Sequence, residues 1–169
     1  ALRHNAAETG VQLWSYHLPF EPVEANDISS LNERVRRISI DLQKGLLEKA
    51  AALGCRKAVI HPSGEPLDEA ERAARLEQAK KSLSVLAAFA AGAGLQLAVD
   101  NLPRTCLGRN AGEILSLLQA HERLGLCFDT HHLLGETPEH FFHHSARRIV
   151  PLHVPDFSFH LHTPRPPRH

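Results

Sequence analysis

The sequence lacks several features that would mark other protein classes. No run of apolar residues approaches the roughly 20 that a membrane-spanning helix needs, and the first residues do not show the basic, apolar and small-residue succession of a secretory signal. The three cysteines, Cys55, Cys106 and Cys127, are too widely spaced for a disulfide framework or a zinc knuckle. We therefore expect a cytoplasmic protein without a membrane segment.

An excess of charge of one sign is also missing. Nineteen Lys and Arg residues balance nineteen Asp and Glu residues, so the chain has no bulk attraction to nucleic acid or to anionic lipid. The hydrophobic share of 43% is ordinary for a globular protein. The composition thus indicates one folded domain and disfavours nucleic acid as a partner.

What the sequence does contain is a repeated pattern in which a short apolar run ends in Asp or His and is followed by a turn. It occurs at residues 11–17, 57–61, 95–100, 125–132 and 149–153. The fourth run delivers Asp129, His131 and His132 into one turn, a ligand mixture that suits hard-to-borderline metal ions. Cys127 shares a strand face with Asp129, and we expect it to be a buried structural thiol.

Amphipathic helices are predicted between these strands. Their predicted ranges are 31–53, 67–91, 111–121 and 138–147. For the first helix we expect Ser30 as the cap, and an apolar stripe formed by Val35, Ile38, Leu42 and Leu46. Strands that alternate with helices predict an α/β protein whose parallel sheet carries its functional side chains at the carboxyl edge.

The length sets how much of such a fold is expected. A complete (β/α)8 TIM barrel usually needs about 250 residues, so we expect an incomplete barrel of about strands 2 to 6 over residues 1–156. Residues 157–169 are rich in Pro, Arg and His and predict an irregular tail. Because an open sheet would leave unpaired edges, a homo-oligomer is one possible arrangement.

Taken in order, the five strand ends resemble those of the sugar phosphate isomerase/epimerase family. This family lies in the xylose isomerase-like TIM barrel superfamily, which also contains endonuclease IV. The motifs are LWSYHLPF at 13–20, VIHPSG at 59–64, VDNLPRTCLG at 99–108, CFDTHHLL at 127–134 and LHVPD at 152–156. The resemblance spans nearly the whole chain and implies a divalent-metal enzyme.

The resemblance assigns metal ligands residue by residue. It implies that Asp100, Asp129 and His153 bind a divalent metal (Mn²⁺, Co²⁺, Zn²⁺ or Mg²⁺) together with an eighth-strand glutamate that has no counterpart in this sequence. Nuclease-like members add histidines at the positions of His17 and His61. The family normally has glutamate where this chain has Asp100, and the shorter side chain reduces its reach by roughly 1.5 Å.

The implied reaction is proton transfer next to a sugar carbonyl, with the metal stabilising the enediolate and a neighbouring carboxylate such as Asp100 acting as the base. His132 resembles a histidine that contacts the substrate in the epimerases and takes another metal in the nuclease. Arg104 is either a partner for phosphate or a substrate carboxylate or a loop arginine bonded to nearby carbonyls. Asp156 either orients a ligand histidine or caps a turn.

Three functions remain open from the sequence. A metal-dependent isomerase or epimerase of a small sugar or sugar phosphate is favoured by the balanced charge. An endonuclease IV-like hydrolase of abasic-site DNA is favoured by His17 and His61, although DNA binding normally needs a basic face. A non-catalytic truncated remnant is favoured by the absent strands and by Asp100.

His17 is as readily a packing residue as a ligand, whereas the repeated pattern favours ligands at His61, Asp129 and His153.

Overall fold

The computed structural model describes residues 1–22, 26–133 and 137–154, together with the backbone of residues 157–158 and 163–164. Five strands form one parallel sheet in chain order. They are β1 (Ser15–His17), β2 (Lys57–Ile60), β3 (Gln96–Asp100), β4 (Gly125–Asp129) and β5 (Ile149–His153). The sheet curls into a half-barrel covered by helices, which is the predicted incomplete (β/α) TIM barrel.

Five α-helices accompany the sheet. They are α1 (Leu2–Thr9), α2 (Glu33–Ala52), α3 (Arg72–Gly92), α4 (Ala111–Leu118) and α5 (Pro138–Ser145). The four helices predicted between strands are all present, although α3 begins five residues later than predicted. The delay arises because Asp68 Oδ1 accepts a hydrogen bond from the N–H of Ala70 and holds a turn there. No helix in the described ranges has the length and apolarity to cross a bilayer.

The predicted cap of α2 is wrong, and the predicted apolar stripe is wrong at two of its four residues, whereas Leu46 packs against the core. Asn32 caps the helix through its side-chain oxygen, whereas Ser30 accepts from the N–H of Asn32. Ile38 and Leu42 are 50% and 45% exposed. The helix instead buries a face formed by Ser39, Ile40, Gln43, Leu47 and Ala50.

A polar residue on the buried face of α2 explains this error. Gln43 lies on that face because its Nε2 donates to Oδ1 of Asn26 at 2.5 Å and to the carbonyl oxygen of Pro19 at 3.2 Å. These two acceptors satisfy the Nε2 donors of the buried side chain. The pattern of apolar residues alone therefore points to the wrong side of the helix.

The core has two parts of unequal size. The larger part lies between the sheet and the helices and includes Leu47, Leu83, Leu86, Leu97, Ile114, Leu117, Leu126 and Phe128. The smaller part, on the concave face of the sheet, consists of Val59, Ala98 and Cys127 with Val150 packed against it. The floor of the half-barrel is thus narrow and apolar, and it lies below the strand ends.

The last described segments form a separate two-stranded pair. Residues Phe157–Ser158 and Thr163–Pro164 pair antiparallel and do not join the five-stranded sheet.

Candidate metal and active site

The side chains singled out in the sequence meet at the carboxyl edge of the sheet. Parallel strands all end at one edge, and β1, β3, β4 and β5 end in His17, Asp100, Asp129 and His153, while His61 directly follows β2. The parallel topology therefore brings together groups that lie up to 136 residues apart in the chain.

Asp100 is the centre of the first half of the site. Its Oδ2 lies 3.7 Å from Nε2 of His17 and 3.8 Å from Nε2 of His61. The carboxylate is 2% exposed, and its Oδ1 has no hydrogen-bond partner within the described part of the chain. A buried carboxylate oxygen without a partner is costly, and a bound cation would satisfy it.

The two histidines around Asp100 differ in their protonation. The Asp100 carboxylate, whose Oδ2 lies 3.7 Å from Nε2, raises the pKa of His17 in spite of burial, and the Leu18 carbonyl accepts from its Nδ1 at 3.0 Å. Burial, and then the positive charges of the neighbouring histidines, lower the pKa of His61 to about 3. His61 is therefore neutral at physiological pH, which is the form of imidazole that binds metals.

Asp129 is the centre of the second half. Its Oδ2 lies 3.6 Å from Nδ1 of His153 and 3.8 Å from Nδ1 of His132. Its Oδ1 accepts a hydrogen bond of 2.7 Å from the backbone N–H of His131. The short 3₁₀ turn Thr130–His132 thus fixes the carboxylate and points it toward the two imidazoles.

Asn101 positions this second half, although no motif in the sequence indicated a role for it. Its Oδ1 accepts from the N–H of Asp129 at 2.7 Å, and its Nδ2 donates to the carbonyl oxygen of Asp129 at 3.0 Å. The carbonyl oxygen of Asn101 lies 2.7 Å from Nδ1 of His132. A carbonyl can only accept, so Nδ1 of His132 carries a hydrogen, and in the neutral form of the ring Nε2 offers its lone pair.

Cys127 lies next to both halves of the site, because the strand register pairs it with Asp100 and its sulfur contacts His153. Its Sγ lies 3.5 Å from both ring nitrogens of His153. Burial, and then the charges of Asp100 and Asp129, raise the pKa of the Cys127 thiol. Without a bound metal, the side chain is therefore a protonated thiol at neutral pH, as expected for a buried structural cysteine.

A cavity of about 410 Å³ lies beside these groups. His61, His131 and His132 are part of its lining. Phe20 forms another wall and stacks on His61, with ring centroids 4.3 Å apart and planes 15° from parallel. The cavity has the volume of a small-molecule site, and the stacked rings give it a flat apolar side.

Arg104 lies at the rim of the cavity and pairs with a carboxylate. Its Nε and one terminal nitrogen donate to the two oxygens of Glu65 at 2.7 and 2.5 Å. The same pairing lowers the pKa of Glu65. Arg104 also has a φ of 56°, in the left-handed region that costs energy for a residue with a side chain. Glu65 thus occupies the guanidinium, and a role of Arg104 toward a phosphate or a substrate carboxylate stays a prediction.

The structure therefore joins six of the predicted site residues into one cluster. These are His17, His61, Asp100, Asp129, His132 and His153. Arg104 lies at the rim. Asp156, predicted to support a ligand histidine, falls outside the described residues. His131 also lines the cavity.

The chain matches the family model described as xylose isomerase-like TIM barrel over residues 1–169. An uncharacterized protein of Methanocaldococcus jannaschii is 25% identical over 146 residues, which are 84% of this chain and 57% of that protein. The chain thus spans little more than half the length of this relative.

Solved structures with similar folds include sugar epimerases. A D-tagatose 3-epimerase-like protein superposes with a TM-score of 0.79 at 24% identity, over 93% of this chain and 61% of that one. The D-psicose 3-epimerase of Clostridium cellulolyticum H10, solved with D-tagatose, gives 0.78 at 20% identity, over 90% and 55%. At these identities the likeness to solved structures shows the fold. The match of the family model to residues 1–169 shows that the chain belongs to the xylose isomerase-like TIM barrel family.

Proposed function

We propose that the chain is the metal-binding half of an isomerase or epimerase that acts on a small sugar by proton transfer next to a carbonyl. The observation that carries the proposal is the joined cluster of two carboxylates and four histidines beside a cavity of about 410 Å³. Such a cluster places acids, bases and metal ligands within reach of one small substrate.

The residues fit a divalent cation. Asp100 has a buried oxygen without a partner among the described residues, and His61 is neutral and offers Nε2 beside it. Asp129 and His153 supply a further carboxylate and imidazole. The imidazole content favours Mn²⁺, Co²⁺ or Zn²⁺ over Mg²⁺. A cation held here would stabilise the negative charge that develops on a sugar oxygen when the neighbouring carbon loses its proton.

His132 is the proposed proton-transfer group. It lines the cavity, and its Nδ1 is held by the carbonyl oxygen of Asn101, so Nε2 is left to accept a proton. Asp129 lies 3.8 Å from the ring and would stabilise the imidazolium that forms. Asp100 remains a second candidate base in this proposal, although its burial and its histidine neighbours favour a role as a metal ligand.

The charge around the cavity favours an unphosphorylated sugar. Among the described lining residues, Arg104 is the one side chain with a permanent positive charge, and Glu65 neutralises it. Glu21 adds negative charge to the wall. A phosphate would have to displace Glu65 from Arg104 before it could bind.

The experiment that tests the proposal is solvent deuterium exchange into a panel of ketoses and ketose phosphates in the presence of Mn²⁺ or Co²⁺. It should be run on this chain and on a chimaera in which the remaining strand–helix units of a solved 3-epimerase follow His153, because the chain spans little more than half of such relatives. We expect exchange by the chimaera, greater with free ketoses than with phosphates, and its loss in Asp129→Asn.

The competing function is hydrolysis of abasic-site DNA. It is supported by the contacts of His17 and His61 with Asp100, since the nuclease-like members of the family use histidines at these positions. A folded chimaera that cleaves abasic-site DNA and exchanges no sugar proton would favour the nuclease. A folded chimaera with neither activity would favour the non-catalytic remnant.

Two further expectations stay proposals. The three cysteines are free thiols, which agrees with a reducing compartment and supports a cytoplasmic location. A homo-oligomer remains a prediction that a mass measurement in solution would test.

A further inference from the structure

We propose that Cys127 is a metal ligand and that Asp100, Cys127 and His153 form a thiolate site for a thiophilic divalent cation such as Zn²⁺, Co²⁺ or Cd²⁺. The inference differs from the sequence-based expectation of a structural thiol. It concerns metal binding alone and does not depend on which reaction the protein catalyses.

The first argument is the position of the three side chains. The strand register pairs Asp100 directly with Cys127, and Asp129 with His153. Cys127 therefore stands beside Asp100 in one row of the concave face, and His153 reaches down to it from the next row. The carboxylate oxygen, the sulfur and a ring nitrogen all lie within 4.8 Å of one another.

The second argument is the distance between sulfur and nitrogen. Cys127 Sγ lies 3.5 Å from the ring nitrogens of His153. In a tetrahedral zinc site with a Zn–S bond of about 2.3 Å and a Zn–N bond of about 2.0 Å, the two ligand atoms are about 3.5 Å apart. The side chains thus already have the spacing that a shared ion requires.

The third argument is the unsatisfied oxygen of Asp100, which points to a ligand independently of the cysteine. The carboxylate is 2% exposed, and its Oδ1 has no hydrogen-bond partner in the described residues. A cation at this site would supply the missing partner. It would also leave one position of a tetrahedral ion open, as in catalytic zinc sites.

The ligand set gives the site a selectivity that carboxylates and imidazoles alone would not have. Thiolate sulfur strongly favours Zn²⁺, Co²⁺ and Cd²⁺ over Mn²⁺ and Mg²⁺. On binding, the thiol loses its proton to solvent, and a sulfur–metal bond forms without any change of oxidation state. Cys127 would then set the metal preference of the whole centre.

The test is titration of the metal-free 169-residue chain with Co²⁺, followed by absorption spectroscopy. A thiolate ligand produces a sulfur-to-cobalt charge-transfer band in the near ultraviolet, and carboxylates and imidazoles do not. We expect this band in the wild type and in Cys55→Ser, a buried cysteine outside the site, and its loss in Cys127→Ser. We also expect the ratio of Cd²⁺ to Mn²⁺ affinity to fall at least about tenfold in Cys127→Ser, as is typical when groups that support a metal centre are removed.

Three results would overturn the inference. They are cobalt bound without a charge-transfer band, a band that survives Cys127→Ser, and no cobalt bound by the folded wild type. If Cys127→Ser does not fold, X-ray absorption of the zinc-loaded wild type decides, because a ligand sulfur must appear at about 2.3 Å. Failure of the sugar assay alone would leave this result unaffected.

Discussion

Replacement of Asp100 by asparagine should stabilise the metal-free chain and abolish metal binding. The carboxylate is nearly fully buried, its Oδ1 has no partner in the described residues, and Oδ2 lies 3.7 and 3.8 Å from two imidazoles, beyond a normal hydrogen bond. Burial of such a poorly compensated group costs about 1–3 kcal/mol, and more when it is charged. Asparagine has the same shape without the charge.

The gain in the free energy of unfolding should be smaller than the full cost of burying the carboxylate, because the variant also loses the interaction between Asp100 and His17. We expect Asp100→Asn to raise the free energy of unfolding by about 1–2 kcal/mol without metal, which corresponds to a rise in Tm of about 2–8 °C for a domain of this size. The pKa of His17, raised in the wild type first by the neighbouring Asp100 carboxylate, should fall in the variant. Thermal unfolding in chelator and NMR titration of the histidines measure the two effects.

Added metal should reverse the order of stability. A cation at 100 times its Kd stabilises the folded state by about 2.7 kcal/mol, so the wild type should become more stable than Asp100→Asn, which binds no metal. Asp129→Asn is the matched control. Its Oδ1 already accepts the N–H of His131, and this variant should not gain stability without metal. A loss of more than about 1 kcal/mol in metal-free Asp100→Asn would refute the reasoning, because Asp100 would then be a structural anchor.

Three further predictions follow from individual contacts. The pKa of His61 is about 3 in the folded state and 6.5 in the unfolded state, so the unfolded chain binds more protons below pH 6.5. The free energy of unfolding should therefore fall as the pH is lowered from 6.5 toward 3, by at most about 1.4 kcal/mol per pH unit. The pH dependence of the denaturant midpoint, measured in chelator, should be shallower in His61→Gln, and an unchanged slope would contradict the assignment. A Cβ at Gly125 would lie 2.3 Å from Cγ2 of Val150, so Gly125→Ala should cost about 1–3 kcal/mol in thermal unfolding, and Val150→Ala in the same chain should recover part of it. Asn101→Ala leaves the buried N–H and C=O of Asp129 without the amide partner. The variant should lose about 2 kcal/mol in the free energy of unfolding and should bind Co²⁺ more weakly in calorimetry. An unchanged cobalt affinity would show that Asn101 does not position the site.

The sequence by itself determined the strand–helix alternation and the edge at which the functional groups gather. Each strand end carries its Asp or His at a place that the apolar runs mark clearly, and parallel strands must end together. The presence of the four helices between the strands was predictable from their local residue patterns. The apolar face of α2 was not, because Gln43 is buried by hydrogen bonds to distant residues.

Only the tertiary structure decided which groups of the site touch. The side-chain pairs depend on strand register, which brings Asp100 level with Cys127 and Asp129 level with His153. Asp100 consequently lies beside His17 and His61, and Asp129 beside His132 and His153. Register depends on which strand faces are buried against each other, and here that packing joins strands 20 or more residues apart. The same reason explains why the structural support from Asn101 and the approach of Cys127 to His153 became visible only in the folded chain.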